Sequence, residues 1–121
     1  MIDEANFSFG KIQIFDDFVI SEINEGVTVD IKELREILNY CENKFDGRPY
    51  GYISKRVHSY SVNPIVYMKV VPEFRLGAIA IVTQSKNGHI NAQIESHFYT
   101  GPFKVFQADQ DAKSWIKSTI N

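Results

Sequence analysis

The run Leu76-Gly-Ala-Ile-Ala-Ile-Val82 is apolar along its whole length, and it constrains the fold more than any other part of the chain. Successive residues of a strand face opposite sides of a sheet, so a half-exposed strand alternates apolar and polar side chains. An uninterrupted apolar strand needs cover on both faces, which a sheet with parallel strands and flanking helices provides.

Residues 30–47 supply a helix for that purpose. Ile31, Leu34, Leu38, Cys41 and Phe45 recur three and four apart, with Ile37 widening the stripe, and the positions between them are polar. Asp30 is placed to accept from the free N–H groups of the first turn, with Glu33 three residues on, as in a capping box. Val29 can staple onto Leu34. Lys44 suits the carboxyl end, Gly47 the left-handed stop, and Pro49 forbids continuation.

Around these two elements the rest of the chain reads as strands and short helices. Residues 7–15 predict a first strand, with Phe7 and Phe9 on one parity, Ile12 and Ile14 on the other, and Gly10 at a bulge or bend where the parity changes. Asp16-Asp17 predicts a hairpin turn into Phe18–Ile23, and Asn24-Glu25-Gly26 a second turn before residues 27–29. Residues 50–54 predict a strand and residues 55–63 a polar loop. Asn63-Pro64 starts a helix that Pro72 limits to about two turns. Over 85–99 two readings compete. Ile90, Ile94 and Phe98 recur every four residues as in a helix, while Ile90, Ala92 and Ile94 alternate with polar residues after a hairpin-like Asn87-Gly88. Gly101-Pro102 ends that element, Phe103–Phe106 is a strand, and a last helix capped by Asp109 turns Ala112, Trp115, Ile116 and Ile120 inward. Strands alternating with helices predict an α/β (α+β) fold with a mixed sheet.

With 121 residues and no linker or repeat, residues 1–121 form one domain. Thirteen Lys and Arg against fifteen Asp and Glu, with no basic cluster, exclude a globally basic nucleic-acid binder. One Cys excludes an internal disulfide and a Cys-rich zinc site. No run approaches the ~18 apolar residues of a membrane span. Met1-Ile2-Asp3-Glu4 lacks the basic and apolar regions of a signal peptide. The expectation is a soluble, cytoplasmic domain.

Candidate chemistry is sparse. His58, His89 and His97 show no ligand spacing, so no metal site is expected. Cys41 falls in the apolar helix stripe, where it reads as a core residue rather than a nucleophile. No phosphate-binding glycine loop or Gly-x-Ser-x-Gly elbow occurs, and no cofactor or catalytic set is expected. One loop stands out. Residues 55–64 follow a strand and precede a helix, where N–H groups and the dipole favour anions. Arg56, Ser59, Ser61 and Asn63 are therefore candidate regulatory or anion-binding residues. Ser and Asn also serve there as plain caps and turn formers. Six tyrosines, among them Tyr52, Tyr60 and Tyr67, either line an apolar cleft or fill strand positions.

Several segments together resemble a SpoIIAA-like (STAS/Sec14-type) domain of short stand-alone bacterial proteins. They are the capped helix segment 27–38, Val57-His-Ser-Tyr-Ser-Val-Asn-Pro-Ile-Val-Tyr67, the apolar 77–83, and Pro102-Phe-Lys-Val-Phe106 followed by Asp111-Ala-Lys-Ser-Trp-Ile116. The last pair is similar to the Phe…Ala-x-x-Trp-Leu ending of such domains. The resemblance implies a four- to five-stranded mixed sheet with about four helices, and a helix rather than a hairpin over 85–99. It also implies a non-enzymatic regulatory module acting through protein contacts, or a Sec14-like carrier of a small apolar ligand or lipid. In antagonists of this fold a Ser in an Asp-Ser-Ser/Thr-Gly turn is phosphorylated. The corresponding Ser-Tyr-Ser-Val-Asn-Pro here lacks the Asp-Ser pair and the Gly, and Ser61 is the nearest positional match. Expected partners are another protein, a small apolar ligand or a second copy of the chain.

Overall fold

The computed structural model describes residues 1–120. Strands β1 (Asp3–Phe7), β2 (Gly10–Ile14) and β3 (Phe18–Ile23) form an antiparallel meander. A short β4 (Thr28–Val29) leads into helix α1 (Ile31–Phe45) and then β5 (Tyr50–Lys55). Next come β6 (Ser61–Val62), the one-turn helix α2 (Val66–Lys69) and a 3-10 turn at Val71–Glu73. The chain continues through β7 (Leu76–Val82), α3 (Lys86–Ser96), β8 (Phe103–Phe106) and α4 (Asp109–Ile120). The main sheet has the order β1-β2-β3-β5-β7-β8, with β3, β5, β7 and β8 parallel, and β4 pairs with β6 in a second, two-stranded sheet.

The apolar stretch at β7 behaves as its composition demands. Ile79 and Ile81 pack into the core on the side of α1, α2 and α3, while Ala78, Ala80 and Val82 meet α4 through Ala112 and Ile116 on the other. The small Ala side chains let α4 approach the sheet closely. Burying an Ile or Leu is worth ~1.5–3 kcal/mol against leaving it exposed, so the Ile, Leu and Val content of these two cores is the main driving force. Helix α1 is capped as its sequence predicts. Asp30 Oδ1 accepts from the Ile31 N–H at 2.8 Å, Glu33 Oε1 accepts from the Asp30 N–H at 2.9 Å, and the capping box is complete. At the other end the left-handed conformation begins at Asp46 and continues through Gly47.

Four local expectations are corrected. Residues 7–15 are not one bulged strand. Phe7 pairs with Gly10 across a two-residue turn at Ser8-Phe9, so the parity change marks a hairpin, and the main sheet has six strands rather than four or five. The 55–63 loop is not wholly irregular, because Ser61 and Val62 pair with β4. The helix after Asn63 does not start at Pro64: α2 begins at Val66 with Ile65 at its cap position, and one α-turn is followed by a 3-10 turn that holds Pro72. Asp109 does not cap α4 but is its first residue, its carboxylate 2.9 Å from Lys55 Nζ, and the Ala108 carbonyl accepts the first helical bond from Ala112. Among the described residues no helix is long and apolar enough to cross a membrane.

Two predictions test this frame. Asp30→Ala, which removes the cap, should lower stability by about 1 kcal/mol, read as a lower urea midpoint at unchanged slope. Asp3 ties β1 to α1: Lys44 Nζ lies 2.8 Å from Oδ2, and the Tyr40 hydroxyl donates to the same oxygen at 2.7 Å. Lys44 first, then Tyr40 and the Glu4 N–H, hold the Asp3 carboxyl down at about 2, against 3.8 when unperturbed. Because the folded value is the lower one, this contribution is complete above about pH 4 and is lost as pH falls through about 2. The stability difference between wild type and Asp3→Asn should therefore be constant from neutral to mildly acidic pH and shrink below about pH 4. A difference independent of pH would contradict the assignment.

Candidate functional site

Strands β5 and β7 run parallel, with Lys55 opposite Val82, and so deliver their carboxyl ends to one rim of the sheet. Two segments leave the rim there, the 56–63 loop and the Thr83–Ser85 approach to α3. The loop is held at several points. The Arg56 N–H donates to the Val82 carbonyl at 2.8 Å, the Gly26 N–H to the Ser59 carbonyl at 2.8 Å, and the Ser61 N–H to the Val27 carbonyl at 2.9 Å. The first turn of α3 is held by Ser85, whose Oγ accepts from the Gly88 N–H at 2.8 Å. A side chain at position 88 would run into Thr83 Oγ1 and Ser85 Oγ, so only glycine lets this turn sit so close to the rim.

Beneath the rim lies a buried polar cluster. Both terminal nitrogens of Arg56 donate to the Glu95 carboxylate at 2.6 Å, and Arg56 Nε donates to Ser54 Oγ at 3.2 Å. The Tyr67 hydroxyl donates to Glu95 Oε1 at 2.6 Å, and the Tyr60 and Ser54 hydroxyls are bonded at 2.7 Å. The Arg56 and Glu95 side chains are 9% and 6% exposed. Burial works against the Arg56 charge, and the Glu95 carboxylate more than offsets it, so Arg56 stays cationic. Burial, followed by the Glu95 charge, pushes the Tyr67 hydroxyl well above its ordinary value. Burial likewise raises Tyr60. Both phenols remain protonated.

The four candidate residues of the loop are brought to one edge but have different surroundings. Ser59 and Ser61 are exposed on the rim. Arg56 points inward and its fork is occupied by Glu95, leaving no free terminal pair for an incoming anion. Asn63 is tied down: its Oδ1 accepts from the Ile65 N–H at 3.2 Å and its Nδ2 donates to Asp30 Oδ1 at 3.1 Å, joining the starts of α2 and α1. The single turn of α2 sums few peptide dipoles, so it offers little of the positive tip expected before residue 64.

Sequence reasoning missed Glu95 entirely, because its partner lies 39 residues away. It noticed Tyr60 and Tyr67 only as members of an aromatic set. Among the described residues no three His, Cys, Asp or Glu side chains gather as a metal site would require. His58 is exposed on the rim, and His89 lies on α3 with its Nε2 3.1 Å from Gln93 Nε2. Cys41 is a core residue, its thiol pushed up to about 12 by burial.

Several spaces adjoin the cluster. An internal cavity of about 30 Å³ is lined mainly by apolar side chains, among them Val29, Leu34, Val66 and Ile79. It has room for a water or two, far below the roughly 300 Å³ at which small-molecule pockets begin. A groove of about 460 Å³ runs outside, between the loop and the first turns of α3. A narrower one of about 190 Å³ continues it past Ser61, Pro64 and Ile94, and Arg56, Tyr60 and Asn91 line both.

No family model matches this sequence. No curated protein matches it either. Among solved structures, the chain is similar to an uncharacterised DUF3478-family protein of Shewanella loihica with a SpoIIAA-like fold. The TM-score is 0.57 and the match covers 93% of each chain at 14% identity. The fold is SpoIIAA-like. The helix over 85–99 that this resemblance implied is present as α3. At 14% identity the likeness extends to the architecture, and the rim of this SpoIIAA-like domain has to be read from its own residues.

Removing one member of the buried pair leaves the other charge stranded. Glu95→Ala should cost about 3 kcal/mol or more in urea unfolding. Arg56→Leu combined with Glu95→Leu should recover most of that loss, since neither charge is then buried. Additive losses, with the double variant destabilised by the sum of Arg56→Leu and Glu95→Leu taken singly, would show that the pair does not act as a unit.

Proposed function

We propose that this SpoIIAA-like domain is a non-enzymatic interaction module, regulatory in role and cytoplasmic, whose partner-facing surface is the 56–63 loop and the adjoining turns of α3. One observation carries the reading: side chains stand exposed on a backbone that is pinned at several points above a buried ion-pair cluster. Val57 is 57% exposed on that rim, with His58, Ser59 and Ser61 beside it. A rim already ordered loses little conformational entropy when a partner docks, which favours recognition. Val57 provides an apolar anchor and the hydroxyls a polar surround, the usual division of a small contact patch. The Sec14-like alternative, a small apolar ligand held inside, has less support, given an internal cavity of about 30 Å³.

The reading is tested by site-specific photocrosslinking in the native cells. Benzoylphenylalanine placed at Ser59 or Ser61 should give a discrete protein adduct that weakens when Val57→Asp is added. The same probe at Gln13, on β2 of the meander, should give none. Absence of adducts at 59 and 61, or the same adducts from position 13, would refute the proposal.

A further inference from the structure

The groove beside the loop is rich in hydrogen-bonding groups yet nearly free of available charge. Its one guanidinium, Arg56, is already matched by Glu95. Asn87 and Asn91 line its helix wall, with Ser59 and Tyr60 on the loop side. Along α3, side-chain hydrogen bonds join Ser85 to Gly88, Gln93 to His89, Ser96 to the Gln93 carbonyl, and Glu95 to Arg56 and Tyr67. Among the described residues, neither the Asn87 nor the Asn91 carboxamide is engaged within the protein. Each offers a donor and an acceptor side by side, the complement of a peptide unit.

The spacing adds a second constraint. Residues four apart on a helix are displaced by about 6 Å along its axis. An extended chain repeats every second residue at about 6.6 Å. Two carboxamides at this interval therefore match alternate peptide units of a strand-like segment. One turn further along α3, Ile94 is 52% exposed and lines the narrower groove with Val62 and Pro64. That end suits an apolar side chain of the same segment.

We propose that the groove between the loop and α3 binds an extended, uncharged segment of a partner protein. Asn87 and Asn91 bond its main chain, and Ile94 and Pro64 seat one apolar side chain. This rests on the reading of the loop as partner-facing and specifies what lies against it. An acidic or phosphorylated motif fits less well, because the only arginine at the groove is neutralised internally.

The test uses linear random 12-residue peptides displayed on phage and selected against the whole chain. Enriched peptides should be uncharged, rich in β-branched residues, and carry an apolar residue at a fixed position. Synthesised, they should lose about fivefold in affinity on Asn87→Ala and again on Asn91→Ala, both exposed positions where folding is unaffected. N-methylation of alternate peptide amides should weaken binding on one parity and spare the other. Acidic or helical winners, winners indifferent to both Asn substitutions, or no enrichment at all would overturn the inference. If crosslinks from positions 59 and 61 persist in that event, the loop remains the partner surface and only the extended-segment assignment falls. If Asn-dependent peptides appear without such crosslinks, it is the loop reading that fails.

Discussion

The Arg56–Glu95 pair determines how the functional edge of this domain is arranged. Two opposite charges have been taken out of water, at a desolvation cost of several kcal/mol for each ion. The geometry recovers that cost through a bidentate fork and two further hydroxyl contacts. Helix α3 buries only Ala92 and Glu95, so apolar packing alone gives it little grip on the sheet. Its position is set by the carboxylate. Because α3 forms one wall of the groove and Arg56 opens the loop that forms the other, the ion pair ties the two walls together.

Local patterns made most of the architecture legible. The capped α1, the two-faced β7 and the turn at Asp16-Asp17 all depend on neighbours in sequence, and all three are present. The hairpin at Ser8-Phe9 was hidden because a change of parity is produced equally by a bulge and by a tight turn. The 85–99 segment shows a different failure. Ile90 and Ile94, whose spacing favoured a helix, lie exposed, while the buried positions are a small Ala and a charged Glu. The helix is real, but its apolar repeat does not face the core, and the helical assignment came from family resemblance. The site was legible only in outline. Its loop announced itself through Ser, Asn and Pro, whereas the inward turn of Arg56 depends on a residue in another element. No local spacing encodes that contact.

The likeness at 14% identity is one of scaffold, and the scaffold leaves its rim open to different chemistries. In this chain the segment before α2 carries neither the Asp-Ser pair nor the Gly of the phosphorylated antagonists. Asn63 instead joins the starts of two helices through Asp30 and Ile65. Ser61, the nearest positional match to the phosphorylated Ser of those antagonists, stays exposed beside this tie. What remains exposed beside it is uncharged and hydrogen-bonding.

Across the main sheet the strands follow the order of their synthesis. No strand has to be slotted between two neighbours already paired, so a chain emerging from the ribosome can add each one at the outer edge of those before it. The crossovers from β3 to β5, β5 to β7 and β7 to β8 each carry a helix, and the entropic cost of closing them rises only slowly with their length. Helix α4 arrives after all of them, and until it docks, Phe18, Ile20, Ile53 and Ala80 lie bare on one side of the sheet. A chain stalled before residue 109 would therefore carry a finished groove on an adhesive back, an intermediate suited to chaperone capture or aggregation.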